Sequence, residues 1–199
     1  MIKTISATVA LAGLAGLAAC GSSPDPSTPS VSGTETFSGT VTGSRALAAL
    51  TSPNPNPPLT FPVFTWTGPV RTSISNYTLP SGNNKEVERT FKTPAGDFTV
   101  TRTPNTQRKN TTRATGPVHG ICTFRGISSG FYTVVPGEST GKFAGATGHG
   151  TFTITLSGSG PISPASAKAC TFGSNGPNIS KLSSASITFH ATGPLTVTG

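Results

Sequence analysis

Residues 186–197 read Ser-Ile-Thr-Phe-His-Ala-Thr-Gly-Pro-Leu-Thr-Val. Ile187, Phe189, Ala191, Leu195 and Val197 all fall on odd positions. A period of two is the signature of a strand with one buried face. Gly193-Pro194 is expected to bend this strand. The same alternation recurs with Phe37, Gly39 and Val41 in 34–42, with Phe64, Trp66 and Val70 in 61–70, and with Phe152, Ile154 and Leu156 in 151–157. Further short runs lie at 87–93, 98–103, 118–125, 131–135, 141–146 and 170–172. Pro94-Ala95-Gly96-Asp97 carries Pro followed two places on by Gly, a turn signature, so 87–93 and 98–103 are expected to form a hairpin. Nine to ten short strands make the fold all-β, with a single antiparallel β-barrel expected and a β-sandwich as the alternative. No fixed period emerges, so the chain is not a solenoid.

Composition supports this reading. Of 199 residues only 10% are charged and 33% hydrophobic, while Gly (24) and Pro (18) are abundant beside 34 Thr and 24 Ser. Leu occurs ten times, three of them before residue 20. Good helix formers are too scarce for a bundle. No long window of 3.6-residue period suggests a doubly wound α/β fold. Alternating Phe, Val and Ile argue against disorder. Arg45–Leu50 can form one short helical turn. Pro53-Asn54-Pro55-Asn56-Pro57-Pro58 cannot enter a sheet interior and is expected to be a long crossing loop.

Lys3 precedes an uncharged run from Ile5 to Ala19. Fifteen residues are too few for a bilayer span of roughly 20. Residues 1–19 therefore read as a signal peptide. The run ends in Leu17-Ala18-Ala19-Cys20, which resembles the lipobox of bacterial lipoproteins. That resemblance implies that Cys20 becomes the acylated N-terminus and anchors the chain to a membrane. Gly21 stands where an Asp would retain a lipoprotein at the inner membrane, so an outer-membrane location is implied if the organism has two membranes. Residues 20–33 are rich in Pro, Ser and Gly and are expected to be a flexible lipidated tether. The folded part is then 34–199.

Cys122 and Cys170 remain as an even pair. In an exported chain a disulfide between them is expected. Metal binding is the rival and would need two more ligands, yet no CxxC or HxxxH spacing exists. The formal charge is +8, and loss of Lys3 with the leader makes it +7. Arg102, Arg108, Lys109 and Arg113 cluster in 102–113 without an aromatic residue to stack a base, so specific nucleic-acid binding is not expected. The charge reads first as keeping a low-charge domain soluble, with anionic lipid or an anionic envelope polymer as the alternative partner for such a loop. Arg89 and Arg102 fall on the apolar phase of their strands. They are expected either at strand ends or lining a polar, anion-binding pocket.

Residues 141–152 read Gly-Lys-Phe-Ala-Gly-Ala-Thr-Gly-His-Gly-Thr-Phe. This resembles a glycine-rich strand–turn–strand signature of small secreted bacterial β-barrel proteins, and more loosely that of allene oxide cyclase and dirigent-like barrels. The resemblance covers about residues 118–157 and implies a fold; no catalytic residue can be transferred. The apolar phase slips by one between Phe143 and Phe152, which a turn or bulge across Gly145–Gly150 explains.

Catalytic motifs are weak. Gly126-Ile127-Ser128-Ser129-Gly130 fits G-x-S-x-G in letters, but a strand follows instead of a helix, so it reads as a hairpin turn. Gly137–Lys142 imitates a phosphate loop one residue short, with Phe143 where a magnesium-binding hydroxyl belongs. His119 and His190 lie on polar phases and His149 in the glycine-rich turn, with no metal-ligand spacing. Glu86, Glu88, Asp97 and Glu138 are dispersed. No cofactor is implied. The function expected is a lipid-anchored, extracytoplasmic barrel that binds a small apolar molecule or an envelope polymer. A cyclase- or isomerase-like enzyme and a structural envelope protein are the alternatives. Replacing Cys20 with Ala is expected to abolish incorporation of labelled palmitate; labelling that persists would refute the anchor.

Overall fold

The structure is a computed structural model that describes residues 29–51, 59–79, 87–104, 111–164, 168–173, 176–177 and 181–198. The signal peptide, Cys20, the tether to residue 28, the Pro-rich run at 53–58, Glu86, Arg108 and Lys109 lie outside them. Eleven strands and one helix occur in these residues. In chain order they are β1 (Ser30–Thr42), α1 (Gly43–Leu50), β2 (Leu59–Thr67), β3 (Thr72–Leu79), β4 (Val87–Thr93), β5 (Gly96–Pro104), β6 (Thr111–Val118), β7 (Ile121–Val134), a 3₁₀ turn (Gly141–Phe143), β8 (Thr147–Pro161), β9 (Phe172–Gly173), β10 (Gly176–Pro177) and β11 (Ser184–Thr198).

The expected alternation is realised as burial. In β11 Ala185, Ile187, Phe189, Ala191, Leu195 and Val197 are buried. In β1 the buried positions are Glu35, Phe37, Gly39 and Val41. Adjacent strands run antiparallel in the order β3-β2-β1-β11-β8-β7-β5-β4. The two end strands, β3 and β4, approach each other without a hydrogen-bonded ladder, so the sheet curls into a nearly closed eight-strand barrel. The β4–β5 hairpin forms as expected, with Thr93 paired to Gly96.

β7 is longer than the barrel wall needs. Its second half pairs with β5 and its first half with β6. β6, β7, β8 and β11 thus extend beyond the barrel at one end. The Cys122–Cys170 disulfide is present in this extension, with Cα atoms 5.6 Å apart. A crosslink of this span adds about 4 kcal/mol in the chain-entropy account.

Eight strands enclose little more than the volume of their own side chains. This barrel nevertheless packs Phe37, Phe64, Trp66, Phe91, Phe98, Tyr132, Phe152 and Phe189 inside. They fit because rings lie over glycines on facing strands. Phe64 covers its partner Gly39, Phe152 covers Gly130 and Tyr132 covers Gly150; in the extension Phe124 covers Gly158. Each pair trades a missing side chain for a large one across the ladder.

Both ends are covered. α1 caps one end with Ala46 fully buried and Leu47, Ala49 and Leu50 against the core. Residues 135–143 strap the other end. Val135 N donates to Thr99 O at 3.0 Å, Thr140 N to Asp97 O at 2.9 Å and Lys142 N to Ala95 O at 2.7 Å. Gly141 has φ 60° and sits where a Cβ would strike the Ala95 carbonyl, so only glycine fits there. Phe143 then plugs the barrel, its ring 4.8 Å from Phe98.

Several sequence expectations are corrected. Residues 118–125 and 131–135 are not separate strands joined by a turn at 126–130. β7 runs straight through, because Gly126 and Gly130 continue the inward phase of Phe124 and Tyr132. The segment 141–146 is a 3₁₀ turn and plug, not a strand. β3 and β6 were not evident as strands, since Thr or Ser falls on both faces of each and no clean apolar alternation remains. β1 begins at Ser30, inside the stretch expected as tether, because it pairs with the end of β11 from Ser30↔Thr198 onward. The helical turn is an eight-residue helix.

If the rings depend on the glycines beneath them, Gly39→Ala should be costly. Its Cβ would meet the Phe64 ring at 2.5 Å and the Phe61 ring at 2.9 Å. Overpacking of about 1–3 kcal/mol is expected, a fall of about 5 °C in Tm. Thr133→Ala, exposed on the outer face, should leave Tm within about 2 °C. Thermal melts of the two variants decide the point.

Candidate functional site

Arg89 and Arg102 face the interior. They line a cavity with Phe37, Leu79, Phe91, Val100, Tyr132, Phe152 and Phe189. Leu79 ends β3, Arg89 lies near the start of β4 and Arg102 near the end of β5. The cavity is therefore at the end of the barrel where β3 leads into β4, beside the unladdered seam. Its free volume of about 10 Å³ holds roughly one water.

The Arg102 guanidinium lies over the Phe152 ring, 5.2 Å from its centroid. Such stacking is favourable for a desolvated cation. Arg102 Nε is buried and has no hydrogen-bond partner among the described residues. Arg89 Nη1 donates to the Glu88 carbonyl at 3.3 Å. Burial lowers the Arg102 pKa from its usual value and the neighbouring Arg89 charge lowers it further, against the opposing influence of Tyr77. Burial pushes Tyr77 up to about 12, although both arginines pull it down. Tyr77 also packs on Phe91, with ring centroids 5.1 Å apart. The lining thus offers positive charge beside aromatic and aliphatic surface. It contains no carboxylate or imidazole among the described residues. The residue types suit an anion beside an apolar body, in a cavity that as it stands admits about one water.

A second interior polar group is Glu35, which is fully buried. Its Oε2 accepts from Val70 N at 3.1 Å, while Oε1 has no partner among the described residues. Burial raises its pKa to about 7, partly offset by the Val70 hydrogen bond. Gly68, at φ 134°, brings its backbone against Glu35 Cα. Tyr132 feels Glu35 as well: burial first and then this carboxylate raise its hydroxyl to about 12. The Trp66 indole N–H is another buried donor with no partner among the described residues.

The sequence singles out the two arginines and gives no comparable notice of Tyr77 and Tyr132; Glu35 was passed over. Glu35 could have been found, since it shares the odd phase of Phe37 and Val41. The remaining candidates do not converge. His119 occupies a turn, His149 lies on β8 and not in a turn, and all three histidines are exposed. No group of three or more His, Cys, Asp and Glu residues able to hold a metal occurs among the described residues. Ser128 and Ser129 lie in mid-strand, with no elbow. Gly137–Lys142 belongs to the strap. Arg113 is on β6, separated from Arg102 by residues outside the described set. Comparison with protein-family models, curated proteins and solved structures yields no match.

Glu35 makes stability depend on pH. Its proton is released near 4.5 in the unfolded chain and near 7 in the folded one. The folded state binds more protons between these values, so stability falls as pH rises through this window and stays lower above it. The loss is up to about 3 kcal/mol. Glu35→Gln should be more stable than the parent at pH 8, with the gain shrinking toward pH 4.5. Calorimetric melts across pH 4–8 test this; a variant less stable than the parent at pH 8 contradicts it.

Proposed function

We propose that this protein is a lipid-anchored, extracytoplasmic β-barrel that captures a small amphipathic anion at the arginine-lined end of its interior. The observation that carries this reading is Arg102: its Nε is buried without a hydrogen-bond partner among the described residues, its guanidinium lies over the Phe152 ring, and Arg89 lines the same cavity. A carboxylate or phosphate would supply the hydrogen bonds that its Nε lacks. The apolar body of the ligand would displace Arg102 from Phe152 and lie among Phe37, Leu79, Phe91 and Phe189. The present cavity admits about one water, so binding requires this side-chain movement and some parting of β3 from β4. That seam has no ladder to break. The leader and Cys20 support delivery to the envelope, and the disulfide suits an oxidising compartment. The chain enters the barrel at Ser30, at the end of β11 opposite to Ser184. The arginine end lies at the end of the barrel opposite to that entry point.

Trp66 provides a reporter, being the single Trp and stacked on the cavity residue Phe37 at 6.0 Å. Titration with decanoate should change its emission saturably. Arg102→Met should weaken decanoate by about 10- to 100-fold, and decanol should bind no better than it does to that variant. Equal affinity for decanoate and decanol, or an unaffected Arg102→Met, would sink the proposal. No response to any carboxylate or alkyl phosphate would leave a filled structural barrel.

A further inference from the structure

The β6–β7 hairpin carries a second cationic feature on its outer face, independent of the interior arginines. It turns through His119 and Gly120, at φ 50° and 75°, the two-residue geometry that suits strand twist. Val118 and Ile121 flank the turn opposite each other and are 66% and 38% exposed. On the next outward rung the Thr115 and Thr123 hydroxyls bond at 2.6 Å. On the rung after that, Arg113 lies directly opposite Arg125, and both are exposed. Phe131 continues the outward phase of β7 and is 53% exposed.

Like charges facing each other across a ladder repel. No carboxylate is present in β6, β7, β8 or β11 to offset them. Of the described acids, Glu88, Asp97 and Glu138 lie on β4, on β5 and in the strap, and Glu35 is inside. The outer wall is thus cationic along β6–β7, with large apolar side chains on both sides of the arginine pair.

We infer that this face docks on an anionic phospholipid surface. Arg113 and Arg125 contact headgroup phosphates, and Val118, Ile121 and Phe131 enter the interfacial layer. A soluble polyanion would satisfy the arginines and leave the three apolar side chains in water. A bilayer interface accommodates both. The face runs along the side of the barrel, so docking lays the barrel on the membrane. The fifteen residues of β11 separate the hairpin from the chain entry at Ser30 by about 50 Å. Docking is therefore a contact separate from an N-terminal anchor and does not require one.

The test uses the chain from Gly21 onward, which carries every described residue and no acyl group. It should sediment with vesicles of equal parts phosphatidylglycerol and phosphatidylcholine, and not with phosphatidylcholine alone. Arg113→Gln with Arg125→Gln should weaken binding about 10- to 30-fold. Val118→Ser with Ile121→Ser should weaken it several-fold. Arg113→Lys with Arg125→Lys should retain most of it, which separates charge from folding, and melting temperatures check that each variant is intact. Equal binding to phosphatidylcholine, or no loss in the double Gln variant, overturns the inference. Serine variants that bind normally, together with full competition by soluble polyphosphate, overturn it in favour of a polymer partner.

Discussion

The barrel depends on aromatic rings laid over glycines across its strand pairs. Eight strands leave an interior about as wide as the side chains that fill it. Large rings pointing inward from neighbouring strands would collide unless their partners were small. Gly39, Gly130 and Gly150 supply that space beneath Phe64, Phe152 and Tyr132. The arrangement also sets register. A slip of one residue would turn each ring outward and leave its glycine facing a void. The glycine abundance that first suggests turns is, in β7 and β8, a device for strand packing.

This filling shapes the functional site. Because rings occupy the interior, polar groups that point inward have few partners. Arg102 rests on Phe152, and Glu35 retains one hydrogen bond from Val70. They lie at different levels of the barrel and do not compensate each other. The strap and Phe143 close one end, while α1 and the arginine cavity occupy the other. The charges on the outside follow the same separation: carboxylates lie toward β4, β5 and the strap, and arginines along β6 and β7. The proposed interior anion site and the proposed membrane-docking face therefore use different arginines.

Legibility followed burial asymmetry. β1, β2 and β11 have one apolar and one polar phase, so their alternation was visible. β3 and β6 carry Ser and Thr on both faces and lie at sheet edges, so no period marked them. Gly126–Gly130 resembled a turn because glycine is most often read by conformation; here it is present for space. Arg89 and Arg102 stood out by falling on the apolar phase of their strands, and both line the cavity. Glu35 obeyed the same rule on β1, where an acid among Phe and Val was an equally strong sign.

The all-β class, the Cys122–Cys170 pairing and the β4–β5 hairpin were legible from local sequence. These rest on local periodicity, cysteine parity and turn chemistry, which short windows of chain contain. The assembled barrel is what places Arg89 and Arg102 in one cavity with Phe152, Glu35 beside Val70 and Arg113 opposite Arg125. The contacts of Arg102 with Phe152 and of Glu35 with Val70 join segments far apart in the chain, and barrel closure brings them together. Arg113 meets Arg125 through the register of one hairpin, which the mixed Thr, Gly and Pro of β6 do not announce.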